Sequence, residues 1–539
     1  MKGRLWIIPI VTLVLLASLI GCAEPEAPAP APSPAPAPKP SPAPAPAPAP
    51  KETAKHGGTL IRVCGAGPQA PIGYPPETDG IGMSHAWPCS FDGLILMDNK
   101  GNQSPKLATK WEVAPDKKSI TITLRQGVKF HDGTDFNARA AKWAMDQYMA
   151  AVPSILWSSV DVIDDYTIRL NLKHWENSVW DTLMLRLYIS PTAVEKNGLD
   201  WARWNPVGTG PFKFVKFERD VTLEYTRFDD YWDDDLPYLD GVITNYVVDP
   251  ATRDAVLLSG QAHVGMFIGL KTTAEWRDSG KFVTGAHIYG GTQGACGLIP
   301  DSKNPNSPFA KKEVRLAVEY ALDKEAICNA CGFGFWFPAY QVGMKDALSY
   351  NSDLEPRKHD LAKAKQLMKD AGYENGFNCR IIGSPGLPPQ DAVVAVQGQL
   401  AEIGIIATVE FPDMGKFLSY SMNGWDNALL FGMISRANPN LAADIPYYLS
   451  QTASQFVSVQ IPDSYQAAID AALQTVEVER TKLQVMAKEL YDNQTIIPVF
   501  FPCQGDLLVD GLHDYGFHTL ADFSYTPEIC WIEESARIK

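Results

Sequence analysis

His131-Asp132 and Cys328-Asn-Ala-Cys331 are places in this 539-residue chain where neighbouring side chains could do covalent chemistry. A histidine beside an acid can act as a general base, but it needs a nucleophile to serve. Neither GxSxG nor HExxH occurs in the sequence. The pair lies between Gly127 and Gly133, at turn positions, so its expected role is hydrogen bonding within a buried turn. Cys328 and Cys331 have the spacing of redox pairs and of half a zinc site. A second CxxC or a His pair at zinc-finger distance is missing, and the pair closes a helical pattern instead of following a strand. Structural thiols or a local disulfide are the expectation. Gly290-Gly-Thr-Gln-Gly294 lacks the Lys-Ser/Thr ending of a phosphate loop. These motifs therefore give no catalytic residue, and neither a cofactor nor a metal is expected.

Cys22 carries a different chemistry. Lys2 and Arg4 precede an apolar run, Leu5 to Ile20, that ends in Leu19-Ile20-Gly21-Cys22. A basic start, a short apolar stretch and small residues before a cut describe an export signal. The tetrapeptide resembles a bacterial lipobox, whose cysteine is acylated and becomes the first residue of the mature chain. The other reading is an ordinary secretory signal with a chance cysteine. Residues 1–22 are thus expected to be a lipoprotein signal peptide, and 23–56 a tether, since Pro alternates with Ala from Pro25 to Pro50. Proline at this density removes backbone donors and leaves polyproline II, which rises roughly 3.1 Å per residue. About 25 such residues reach roughly 80 Å. The body is expected outside the cytoplasmic membrane, lipid-anchored to its outer face, whether that face is a periplasm or a cell surface.

The remaining chain is too long for one core. Net charge is −15, and no basic stripe marks a nucleic-acid partner. No later apolar run approaches the 18 residues of a membrane span. Ile120–Leu124 alternates as a strand. Asn137–Ala150, Glu313–Ile327, the stretch from Asp360 to Gly372 and the one from Asp391 to Gly404 have helical spacing, and 463–493 holds one or two more helices. Strand-like runs follow at Ile405–Phe411 and Ile496–Phe501. The class is α/β with peripheral helices.

Five ordered stretches carry a resemblance. They are Pro105–Asp116 running into Leu124–Thr134; Asn205-Pro-Val-Gly-Thr-Gly-Pro-Phe-Lys-Phe214; Tyr231-Trp232 with Leu239-Asp-Gly-Val242; Asp249–Gly265; and Pro308–Ile327, which contains Val314-Arg-Leu-Ala-Val-Glu-Tyr-Ala-Leu-Asp-Lys324. Together they resemble the family 5 extracellular solute-binding proteins of ABC importers, the group of dipeptide-, oligopeptide- and nickel-binding proteins. The resemblance implies a two-lobed, periplasmic-binding-protein-like fold with two hinge-crossing strands, near 285–296 and 496–503. Lobe I would take 57–290, with an inserted subdomain at about 95–205, and lobe II 291–499. Residues 500–539 would return to lobe I. It also implies a monomeric receptor whose partners are a small-molecule solute and the permease and ATPase subunits of an importer.

One region departs from the family pattern. Peptide-binding relatives carry Gly-Trp-x-x-Asp shortly before Asp-Pro, and that acid pairs with the peptide ammonium. Here the matching stretch is Gly432-Met-Ile-Ser-Arg436 followed by Asn438-Pro439, and Leu429–Pro439 holds no carboxylate. Arginine's planar fork suits a carboxylate, sulfonate or phosphate. The resemblance therefore points to an anionic ligand at Arg436, and away from ordinary peptides with free N-termini; Arg436 paired with an acid such as Asp444 is the alternative. Met433, Phe431 and Trp425 form an expected apolar wall or part of the core, and Ser435 and Asn438 lie beside the arginine. Trp87 and Tyr289 lie near segments that face the cleft in the family. The runner-up ligand is a peptide or a metal chelate of the nickel type, held by an altered anchor, and a secreted hydrolase is the remote rival.

Overall fold

The computed structural model describes residues 56–538, apart from 69, 78–85, 99, 153–154, 285–293, 436–437, 504–505 and 517–525. The signal peptide, Cys22 and the Pro/Ala segment to residue 55 thus lie outside the described residues.

Two large mixed sheets organise the body. The first has seven strands, in the spatial order Val283–Thr284, Leu507–Leu508, Val264–Gly265, Thr59–Cys64, Gly241–Tyr246, Thr222–Arg227 and Phe212–Glu218. The second has six, in the order Phe337–Pro338, Ile497–Phe501, Cys296–Pro300, Ala428–Met433, Phe377–Gly383 and Ile405–Glu410. In the second sheet, Ile497–Phe501, Cys296–Pro300 and Ala428–Met433 are apolar almost throughout and nearly fully buried, because both faces of the sheet are covered. The chain passes from the first sheet to the second between Thr284 and Cys296, and returns between Phe501 and Leu507. Beside these crossings, helix Leu270–Asp278 buries Ala274 in the second sheet's core and lays Arg277 over the Phe335 ring at 4.6 Å.

A third, four-stranded antiparallel sheet is built from Ala108–Val113, Ser119–Leu124, Thr167–Leu172 and Trp157–Asp164. Helix Ala138–Ala151 covers it, with Ala140, Ala141, Ala144, Met145 and Tyr148 turned inward and Asn137 accepting from two amides as N-cap. Where one helix was expected over 313–327, the chain makes two, Lys312–Ala321 and Lys324–Gly332. Asp323 explains the break: its carboxylate accepts from the Ala326 amide and starts a new helix.

The sequence motifs are built into these joints. Gly208 and Gly210 lie so close to Ser90 that an added Cβ would stand 2.0 Å from its carbonyl oxygen at the first and 2.4 Å from its carbonyl carbon at the second. No side chain fits there. His131 donates or accepts at 2.8 Å with the Gly210 carbonyl, and its burial holds it near pKa 4, so it stays neutral. Asp132 turns the other way, taking the Thr134 amide at 3.0 Å and the Ser190 hydroxyl at 2.6 Å. His131 and Asp132 therefore do not form a catalytic pair. In the stretch Pro308–Ile327, Glu319 and Lys324 meet in a buried ion pair at 2.8 Å. Arg357 at 3.1 Å and the Gln494 amide at 2.7 Å complete the carboxylate.

Candidate functional site

Parallel strands of an α/β sheet present their C-terminal ends to a ligand crevice. In the second sheet, Phe377–Gly383, Ile405–Glu410 and Ala428–Met433 run parallel or share a neighbour, and their ends lie on the side where the lobes are joined. Met433 pairs with Cys296 at the start of the strand that leaves the crossing. Ile434 donates from its amide to the Ala295 carbonyl at 2.8 Å, and the Ser435 hydroxyl accepts from the Ala295 amide at 3.0 Å. Ser435 is therefore tied to the crossing itself.

Beyond Ser435, two matched pairs of side chains face each other from different parts of the chain. Asn177 and Asp181 lie four residues apart at the start of helix Val179–Leu185; Asn440 and Asp444 lie four apart on the turn Leu441–Asp444. The Asn440 amide donates to Asn177 Oδ1 at 2.8 Å. Asn177 is itself oriented by donating to the Ala472 carbonyl at 2.9 Å and the Thr475 hydroxyl at 3.0 Å. The acids form the other rung. Burial, and then the Asp444 charge, push the Asp181 carboxyl up to about 8, while the nearby Asn438 amide works in the opposite direction.

The surrounding seam is closed by the end of helix Asp463–Leu473. Its last carbonyls would lack partners without help from outside. The Asn177 amide donates to the Leu473 carbonyl at 2.8 Å, Lys117 Nζ to Gln474 at 2.7 Å, Trp175 Nε1 to Thr475 at 3.0 Å and Trp180 Nε1 to Val476 at 2.8 Å. The four-stranded subdomain is thereby stitched to the second lobe.

The expected site residues take different places. Asn438 stands beside Asp181 and accepts the Asn440 amide at 2.8 Å. Met433 is half-buried at the strand end and packs on the second sheet's core. Phe431 is fully buried in that core, with its ring 6.1 Å from Phe500. Trp425 is buried under Phe456 and donates to the Ala428 carbonyl at 3.2 Å. Trp87 lies in the first lobe's core and donates to the Ile72 carbonyl at 3.1 Å. Arg436 and Tyr289 lie outside the described residues. Among the described residues, all eight cysteines carry free thiols, Cys328 and Cys331 included, and no group of three His, Cys, Asp or Glu side chains could hold a metal.

The family model for bacterial extracellular solute-binding proteins, family 5, matches residues 102–456. The chain belongs to family 5. Among curated proteins, it is 32% identical over 340 residues to the glutathione-binding protein GsiB of Salmonella typhi and 30% identical over 344 residues to that of Pectobacterium atrosepticum. Each match covers 60% of this chain and 64% of the relative, so it spans less than two thirds of those relatives' length. Among solved structures, DppA from Helicobacter pylori in complex with the peptide STSA superposes with a TM-score of 0.71 at 22% identity, covering 89% of this chain and 99% of that one. NikA from Brucella suis in complex with Fe(III)-EDTA gives 0.73 at 19%, covering 84% and 95%. The two-lobed fold of the periplasmic binding proteins is therefore the fold of this chain, and no helix among its described residues is long and apolar enough to cross a membrane.

Membership in family 5 places the Leu429–Pro439 stretch in new company. That stretch carries no carboxylate of its own, yet the fold sets Asp181 beside Asn438 and Asp444 five residues beyond it. Asp181 escaped sequence reasoning because it lies more than 250 residues away on an ordinary amphipathic helix.

Proposed function

We propose that this protein is a lipid-anchored, extracytoplasmic receptor that captures a small solute between two lobes and delivers it, without chemistry, to the permease and ATPase subunits of an ABC importer. The observation that carries this reading is the pair of sheets joined by crossings at 284–296 and 501–507, in a chain of family 5. Lobe I as 57–290 with the return 500–539, the subdomain at about 95–205 and lobe II as 291–499 is the division that the membership of the three sheets supports. Such a receptor works by population shift: a ligand closes the lobes to the extent that it binds the closed form better.

The favoured solute is a small amino-carboxylate. Arg436 supplies a fork for its anionic end, and the acids on the Asp181 side offset a positive end. GsiB is named for glutathione, and the DppA complex holds a peptide; both ligands carry charges of both signs. The test is a thermal-shift screen over short peptides, glutathione, organic acids and metal chelates, followed by small-angle scattering. A cleft ligand stabilises by RT ln(1 + [L]/Kd), about 2.7 kcal/mol at 100 Kd, and the scattering should show a smaller radius of gyration at saturation. Identical profiles with and without a stabilising ligand would remove the closure mechanism.

The anchor is Cys22 in this reading. Mass spectrometry of membrane-extracted protein is expected to find acyl chains there, and Cys22→Ala to release the body into the soluble fraction. An unmodified N-terminus elsewhere would overturn the lipid anchor while leaving the receptor intact.

A further inference from the structure

Five consecutive backbone carbonyls of the second lobe, from Ala472 to Val476, each accept a hydrogen bond from the subdomain. Asn177 takes the first two, through its side-chain amide at 2.9 Å and its backbone amide at 2.8 Å. Lys117, Trp175 and Trp180 take the next three, at 2.7, 3.0 and 2.8 Å. One bond runs the other way, from the Gln474 amide to the Trp175 carbonyl at 3.0 Å. The apolar part of the seam is small by comparison. The subdomain and the second lobe keep separate cores, and among the described residues Val476 is the second-lobe side chain that packs against the subdomain's core. A groove of about 400 Å³, lined in part by Trp111, Lys117, Trp180 and Val476, opens the edge of the seam to solvent. A polar contact between separate cores can part without unfolding either body. The chain leaves the first sheet after Cys64 and rejoins it at Phe212, so the subdomain is continuous with the first lobe. Parting of the lobes therefore breaks the seam, and closure remakes it.

We propose that this seam is a closure latch: Lys117, Trp175, Asn177 and Trp180 are positioning residues that set the affinity for solute by holding the lobes together, without touching the solute. This rests on the receptor reading above and adds a share of the closing free energy that no solute supplies. Each net hydrogen bond favours the closed form roughly two- to tenfold. Several together keep part of the unliganded population closed, while leaving room for a solute to complete the shift. The apparent affinity of a solute is its intrinsic affinity reduced by the fraction of competent, closed molecules. The latch acts on that fraction. It therefore scales the affinity of every cleft solute by one common factor, whatever the charge of the solute.

The experiment compares the wild-type protein with two variants by small-angle scattering without ligand. The double variant Lys117→Met with Trp175→Phe removes two donors and keeps an apolar stem and an aromatic ring in their places. Thr475→Ala removes the hydroxyl that accepts from Asn177 at 3.0 Å. Far-ultraviolet circular dichroism matching wild type confirms an intact fold, and Thr475→Ala carries the test if the double variant does not fold. The latch predicts a larger unliganded radius of gyration in both variants. In the double variant the closed-to-open ratio should fall roughly five- to 150-fold. A purely structural role would lower the melting temperature and leave the radius unchanged, so identical unliganded radii in wild type and a folded variant overturn the latch. Calorimetry with glutathione, L-alanyl-L-alanyl-L-alanine and citrate supplies the second readout. Every probe that wild type binds should weaken by the same factor in a given variant. A variant that weakens one probe and spares another has lost a contact to the solute, and that also overturns the latch. Identical unliganded radii with compaction of wild type by a stabilising solute remove the latch alone, whereas no compaction by such a solute removes closure and the latch with it.

Discussion

Replacing Glu319 with leucine is expected to cost roughly 3–5 kcal/mol of folding stability, the range for removing one partner of a buried ion pair. The side chain of Lys324 is 0% exposed and that of Glu319 1% exposed, so water cannot take over the lost interaction. Removal of the carboxylate leaves Lys324 donating to the Ala339 carbonyl at 2.9 Å, beside the positive charge of Arg357. Gln494 loses its carboxylate acceptor as well. Chemical denaturation followed by tryptophan fluorescence measures the loss. The double variant Glu319→Leu with Lys324→Met should recover a large part of it, because an apolar pair of similar volume removes both desolvation costs. A single variant within about 0.5 kcal/mol of wild type would show that the network is not what holds the helix Lys312–Ala321 to the second lobe.

Arg436→Ala should weaken a carboxylate-bearing solute by roughly 2–5 kcal/mol, which is roughly 30- to several-thousand-fold in Kd. The loss is large because a desolvated carboxylate deprived of its cation pays its full burial cost. The same variant should bind the C-terminal amide of that solute no worse than wild type does, since the amide never used the charge. Calorimetry with a free-acid peptide and its amide therefore isolates the electrostatic part. Arg436→Asp should weaken the free acid further. Unchanged affinity for the free acid in Arg436→Ala would show that this arginine pairs within the protein and does not select the ligand.

Local patterns in the sequence foretold local structure well. Ser119–Leu124 alternates and is a strand, Asn137 and Asp360 cap the helices they precede, and Asp463–Leu473 with Arg480–Asn493 fill the stretch read as one or two helices. These elements are set by neighbours three or four residues away, which a single sequence displays. The joint at Leu322-Asp323 was missed because a capping aspartate inside an apolar periodicity looks like a surface residue of one longer helix. Phe431 and Trp425 illustrate a second limit: an aromatic side chain suits a ligand wall and a core equally, and the packing partners Phe500 and Phe456 that place it lie 69 and 31 residues away. The Asn177–Asn440 rung spans 263 residues, and nothing local in either segment announces it.

The strand Leu507–Leu508 lies inside the first sheet, between Val264–Gly265 and Val283–Thr284, and Glu528 reaches Lys106 across 422 residues. The second lobe, by contrast, draws all its strands from the continuous stretch between Cys296 and Phe501. During synthesis the middle of the molecule can close its core while the lobe begun first still lacks a strand and a buried counter-ion. Long-range pairings of this kind are slow, because loop closure must come before their contacts repay it. The nascent N-terminal half therefore spends the whole of translation incomplete, with the apolar edges of Val264 and Val283 unpaired. A chain that has to be threaded across a membrane before folding gains from such an order, since its leading lobe cannot lock until its last residues have followed it through.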